Sequence, residues 1–253
     1  MSGHSKWANI KHKKGRQDER RGKEFTRISK EIIIAVRSGG GGDPNNNPRL
    51  KALVQKAKAA NMSNENIARA IKRGTGDAGE GSNIDEIIYE GYGPGGVAIM
   101  LEIETDNRNR TAADVRHLFS KYGGNLGETG CVGWMFKRMG MIVVDREELK
   151  LDGEEFLLAA LEAGAEDVRE DEDVFEVLTT PDSLMEVVEA LESQKISVDE
   201  FQIAMVPENT VEITDADQAA RILKLVGMLE DYEDIQEVYG NFTIPDDILD
   251  KIQ

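Results

Sequence analysis

The spacing of apolar residues changes from a period near 3.6 to a period of 2 across one glycine-rich stretch, residues 75–83 (TGDAGEGSN). Helices need the first spacing and half-buried strands the second, so this chain is neither one helical bundle nor one sheet throughout. Upstream, Phe25, Ile28, Ile32 and Val36 recur at three- and four-residue steps and predict a helix over about 17–36. Glycines at 39–42 break it. Asn47 before Pro48 reads as an N-cap with proline at the first helical position, and Leu50, Leu53, Val54 and Ala57 supply the next buried stripe. Asn61 closes that helix in the left-handed conformation. Ser63 caps a third helix with Ile67, Ala70 and Ile71 inward and Gly74 just past its end.

Downstream, 87–90 and 97–103 read as strands joined by a turn over 91–96 (GYGPGG). Thr111 with Asp114 resembles a capping box for a helix carrying Val115, Leu118, Phe119 and Tyr122, ended by Gly123 and Gly124. A further strand is expected over 132–136. Residues 139–206 then read strand–helix–strand–strand–helix–strand, the ferredoxin-like plan, with Thr180 and Pro181 opening the second helix. The tail adds a strand at 211–213, a helix capped by Thr214 and Asp217, and a strand near 235–242.

The expected fold class is therefore α+β: an N-terminal three-helix domain followed by two ferredoxin-like α/β domains, one inserted in the other. The expected division is a basic mobile arm at 1–16, a helical domain at 17–79, a discontinuous α/β domain at 80–138 plus 207–253, and the inserted domain at 139–206. The 253 residues suffice for that many cores.

Charge is the second constraint. The chain totals −17, but residues 1–74 carry 18 Lys/Arg against 6 Asp/Glu, whereas 139–253 carry 7 against 32. A phosphate-rich partner would be drawn to the front and repelled by the rear. Lys6, Trp7, Lys11, His12, Lys13, Lys14, Arg16, Arg20, Arg21 and Lys23 form a basic segment with an aromatic ring, a pairing that neutralises phosphates and stacks on unpaired bases. Lys51 and Lys58 on the second helix, and Arg69, Lys72 and Arg73 on the third, extend the basic surface. The expected partner is nucleic acid (DNA, or rRNA and mRNA), contacted through its backbone rather than its bases.

Catalytic, cofactor and metal chemistry find no comparable support. Glu102, Glu104 and Asp106 alternate along a strand and share a face that could hold Mg²⁺, but a solvated strand face is the better reading. His4, His12 and His117 lack metal-ligand spacing, and Cys131, the single cysteine, has no nucleophile signature near it. The loop over 91–96 matches no phosphate-binding fingerprint. No secretory-type stretch occurs in residues 1–7 and no apolar run is long enough to span a bilayer, so a cytoplasmic protein with no membrane partner is expected. Oligomeric state is left open.

The segments GHSKWANIKHKK (3–14), NPRLKALVQKAKAANM (47–62), AIKRGTG (70–76), YEGYGPGGVAIM (89–100), NRNRTAADVRHLFSKYGGNLG (107–127), VGWMF (132–136) and DEDVFEV (171–177) resemble the signature segments of the YebC/PmpR family. The resemblance spans nearly the whole chain. It implies a three-domain, bacterial, cytoplasmic regulator of gene expression, generally a DNA-binding transcriptional regulator. It also implies an alternative, a ribosome- or RNA-associated translational activator that helps synthesis of proline-rich nascent chains. It supplies no catalytic residues.

Overall fold

Asn47 sets the geometry of the N-terminal helices. Its side-chain oxygen accepts the Leu50 backbone N–H at 3.0 Å, the N-cap bond expected, while its amide donates to the carbonyls of Ala35 (2.8 Å) and Gly41 (3.1 Å). One buried side chain thus starts a helix and fastens it to the end of the one before. The computed structural model describes residues 17–38, 41–76, 84–147, 149–170 and 174–252. The segment expected as an arm lies outside the described residues, as do most of the glycine-rich stretch and the side chains of 17–24 and 246.

Helices α1 (Gln17–Ser38), α2 (Pro48–Ala59) and α3 (Asn64–Gly74) enclose a core of Ile28, Ile32, Val36, Leu50, Ala57 and Ile67. Asn61 has φ 60°, closing α2 as expected, and Ser63 caps α3. Gly74 differs from expectation: it lies inside the last turn of α3, where a Cβ would sit 2.6 Å from the Val36 Cβ. The left-handed residue is Gly76, at φ 81°.

Next come β1 (Asp85–Tyr92), β2 (Ala98–Thr105), α4 (Arg108–Lys121) and β3 (Asn125–Leu126). β4 (Phe136–Asp145), α5 (Gly153–Glu162), β5 (Asp167–Glu170), β6 (Val174–Thr179), α6 (Leu184–Ser193) and β7 (Glu200–Pro207) follow in the βαββαβ order anticipated. The tail holds β8 (Val211–Glu212), α7 (Ala216–Glu230), β9 (Ile235–Gly240), β10 (Phe242–Thr243) and α8 (Asp246–Ile252), the last unanticipated.

Two four-stranded antiparallel sheets result, in the orders β3-β1-β2-β9 and β5-β6-β4-β7. Since β9 pairs with β2, the tail returns to the first sheet after the second is complete. Helices α4 and α7 cover one face of the first sheet, burying Ile99, Leu101, Phe119, Ile222 and Leu225. Its other face presses Ala98, Met100 and Tyr239 against Met139, Met141, Ala204 and Val206 of the second sheet. The class is α+β, as expected.

Four more local expectations are corrected. Helix α4 is capped by Asn107, which accepts the Arg110 N–H at 3.1 Å, and Thr111 is buried within the helix. Residues Gly133–Met135 form a 3-10 turn and the strand begins only at Phe136, so no separate strand occupies 132–136. Helix α7 takes Asp215 as its cap, accepting the Gln218 N–H at 2.7 Å, rather than Thr214 with Asp217. Helix α6 also starts later than Thr180 and Pro181 suggested, with Ser183 at its N-cap.

Candidate nucleic-acid interface

Helix α2 carries Arg49, Lys51, Lys56 and Lys58 and no acidic residue, because its apolar positions are taken by Leu50, Leu53, Val54 and Ala57 and its polar face is left to cations. Lys51 and Lys58, seven residues apart, are exposed on that face. On α3, Arg69, Lys72 and Arg73 are exposed as well. Arg69 is partly neutralised by Glu65 at 3.0 Å, whereas Lys51, Lys58, Lys72 and Arg73 have no ion-pair partner among the described residues. Lys6, Trp7, Lys11, His12, Lys13, Lys14 and Arg16 lie outside the described residues. Arg20, Arg21 and Lys23 sit on helical backbone of α1, their side chains likewise outside.

Other cations of the helical unit serve to dock it. Arg27 donates to the Glu230 carbonyl, and Lys30 Nζ donates to Asp234 Oδ1 (2.8 Å) and to the carbonyls of Glu233 and Glu104. Arg49 approaches Glu86 at 3.6 Å. Asp234 is the hub of this contact. It also accepts from Arg110 (2.8 Å), Thr105 (3.1 Å) and Thr111 (2.8 Å). Burial alone would raise its pKa, but the bonds from Lys30, Arg110 and Thr111 outweigh burial and hold it at about 2.

The strand carboxylates Glu102 and Glu104 are not a solvated face. Register places Glu86 opposite Glu104 and Glu102 opposite Glu237, so like charges meet across three strands. Helices α1 and α2 lie over them: Glu104 is 6% exposed, and Lys30 and Arg49 act on it, while Arg27 and Lys56 act on Glu237. Burial, reinforced by Glu31 and Glu86, pushes Glu104 up to about 8; burial, reinforced by Glu102 and Glu31, pushes Glu237 up to about 7. Asp106 stands apart, exposed and paired with Arg110 at 3.0 Å. Among the described residues no group of three or more His, Cys, Asp or Glu side chains is arranged to hold a metal ion.

Sequence reasoning missed one surface. The buried Glu90 carboxylate accepts three backbone N–H groups, from Gly130 (2.8 Å), Val132 (2.8 Å) and Gly133 (2.6 Å). Burial opposes the charge, yet these three bonds prevail and lower the Glu90 pKa. The loop they organise presents Trp134 at 71% exposure. The glycines at 127, 130 and 133 are the sequence signal for a loop here rather than a strand. Cys131 in this loop has its thiol pKa pushed up by burial and by the Glu90 charge, the opposite of an activated nucleophile.

Family models match both parts of this architecture. Residues 5–77 match the TACO1/YebC protein N-terminal domain and residues 84–242 match the TACO1/YebC second and third domain. The chain belongs to the TACO1/YebC family. A "Probable transcriptional regulatory protein" of Syntrophomonas wolfei subsp. wolfei is 62% identical, covering 98% of this chain and 99% of its own. One of the same name from Desulfitobacterium hafniense is 56% identical, with 98% of each chain covered. Among solved structures, the crystal structure of the conserved hypothetical protein Aq1575 from Aquifex aeolicus superposes with a TM-score of 0.80 at 49% identity, covering 93% of this chain and 96% of that one. In this YebC-family chain no described helix is long and apolar enough to cross a membrane.

Proposed function

We propose that this YebC-family protein is a nucleic-acid-binding regulator of gene expression, acting as a DNA-binding transcriptional regulator in the cytoplasm. Its phosphate-contacting surface is the outer face of α2 and α3 together with the basic segment before them. The observation that carries this reading is the set of four exposed cations, Lys51, Lys58, Lys72 and Arg73, without ion-pair partners among the described residues. A cation left free can release condensed counterions from a phosphate backbone; one already paired cannot do so without losing its partner. The names of the relatives agree with this reading at the level of transcriptional regulation.

The domain division we propose is 17–79, 80–138 with 207–253, and 139–206, supported by the return of β9 to β2. We assign no catalytic step. A second reading, an RNA- or ribosome-associated translational activator that helps synthesis of proline-rich nascent chains, draws support from Trp134, an exposed ring on an ordered loop of a kind that stacks on unpaired bases. Purified protein mixed with duplex promoter DNA and with ribosomes at matched salt separates the two. Replacing Lys11, Lys13, Lys14 and Arg16 by Ala is expected to weaken binding and flatten its salt dependence. Failure to bind either target at low salt overturns both readings.

A further inference from the structure

Because the second sheet presses its free face onto the first, α5 and α6 form the outer layer of that lobe. A surface helix needs one apolar stripe, facing its sheet. Helix α5 has two. Phe156, Ala159 and Ala160 pack inward, while Leu157, Leu158 and Leu161 are 40%, 62% and 46% exposed on the opposite side. Positions i, i+1 and i+4 place the three leucines in one continuous strip. Met185, at the start of α6, is 51% exposed in the same layer. Isolated exposed leucines are ordinary, but a strip of three on one helix face is not explained by this chain's own packing.

The charge around the strip narrows what it could meet. Helices α5 and α6 carry six exposed glutamates, Glu154, Glu155, Glu162, Glu186, Glu189 and Glu192, and no Lys or Arg. Nucleic acid and anionic membrane are repelled by such a rim. A second copy of the chain meeting this face through a twofold axis would set glutamates against glutamates. A protein segment that is apolar on one side and rich in Lys or Arg on the other meets both features at once.

We propose that the outer face of α5, flanked by α6, docks a partner protein through a cationic amphipathic helix. The leucine strip receives its apolar side, and the glutamates pair with its lysines and arginines. This surface is separate from the basic helices α2 and α3 and stands whether their ligand is DNA or RNA. In this arrangement one surface of the molecule contacts nucleic acid and another a basic protein.

The test uses the full chain and a fluorescent 18-residue peptide of Leu and Lys with leucines at i, i+3, i+4 and i+7, read by anisotropy near physiological salt. A scrambled peptide of the same composition is the control. Micromolar binding of the amphipathic peptide is expected, at least tenfold tighter than the scrambled one, and Leu158→Ser with Leu161→Ser is expected to weaken it at least tenfold. Should that variant fold poorly, Glu154→Gln with Glu162→Gln is expected to lower affinity severalfold and reduce the salt dependence. Equal binding of both peptides, or unchanged affinity in the variants, overturns the proposal. So does a wild-type dimer that the leucine variant dissociates, which assigns the face to a second copy. Binding that emerges only when residues 1–16 are deleted also overturns it, assigning the face to the chain's own N-terminus.

Discussion

Lys30 Nζ lies 2.8 Å from Asp234 Oδ1, joining residues 204 positions apart. The contact ties α1 of the helical unit to the turn between α7 and β9, and through Asp234 to Thr105 at the end of β2 and to Arg110 and Thr111 in the first turn of α4. Both side chains are largely out of water, at 17% and 7% exposure. Charges so placed are held by mutual pairing rather than by solvent.

Removing one partner therefore strands the other. Asp234→Ala is expected to destabilise the protein by about 3–5 kcal/mol. Because the Asp234 pKa is depressed to about 2, its contribution is complete above the ordinary value of 3.8 and is lost as pH falls through about 2. Thermal unfolding measured from pH 2 to pH 7 should show this acid limb in the wild type and a reduced one in Asp234→Asn.

Glu104 and Glu237 have the opposite sign. Their pKa values are raised, to about 8 and about 7, so the neutral form favoured by folding is progressively lost as pH rises from 4.5 through those values. Lys30, Arg49, Arg27 and Lys56 face them with positive charge and Glu31, Glu86 and Glu102 with negative, and together they do not offset burial. Stability is expected to fall between pH 5 and pH 9. At pH 9, Glu104→Gln should be the more stable protein by at least ~1 kcal/mol, or roughly 2–4 °C in Tm. A flat Tm profile over that range would count against this account.

Glu90→Gln tests the loop that bears Trp134. Substitution turns one acceptor oxygen into an amide NH2 that cannot accept, so at least one of the three bonds is lost and the remainder lose their charge, at an expected cost of about 2–3 kcal/mol locally. Amide exchange at Gly130, Val132 and Gly133 should accelerate while that of the β4 core stays slow. Cys131 should label faster with a thiol reagent, since the Glu90 charge that opposes its ionisation is gone.

The close approach at Gly74 is equally specific. A Cβ there would lie 2.6 Å from Val36 Cβ, 2.9 Å from Val36 Cγ1 and 3.0 Å from the Ile33 carbonyl oxygen. Although alanine is the better helix former, Gly74→Ala is expected to destabilise the three-helix unit by about 1–3 kcal/mol, measured by denaturant unfolding.

For the basic helices, joint replacement of Lys51, Lys58, Lys72 and Arg73 by Ala should leave Tm nearly unchanged, because all four are exposed. Each is expected to remove about 0.9 from the slope of log affinity against log salt on duplex DNA. Binding titrations at several salt concentrations check this, and an undiminished slope would remove these helices from the interface.

Local chemistry was readable where it acted locally. Asn47 and Ser63 cap, and Asn61 closes, their helices as their residue types and neighbours predict, since a cap bond spans three residues and a backbone angle one. Thr111 misled for a physical reason: Asp234, 123 residues away, claims its hydroxyl, and Asn107 takes the cap. The stretch 132–136 has strand-like composition, yet Glu90 draws its backbone N–H groups out of any ladder. Alternating glutamates on β2 have the pattern of a solvated face and became an interior one only because α1 and α2 cover them.

The amino-acid order alone determined the helix-to-strand change near residue 80, the βαββαβ run and the gathering of cations before it and anions within and after it. Periodicity, capping and charge count are properties of neighbouring residues and survive without knowledge of the fold. Tertiary structure decided which charges stay available: Arg27, Lys30 and Arg49 are spent on docking to distant segments, and Lys51, Lys58, Lys72 and Arg73 remain free among the described residues. It also decided that three leucines of α5 face outward. Burial and ion pairing depend on which distant segments meet, and no local pattern encodes that meeting.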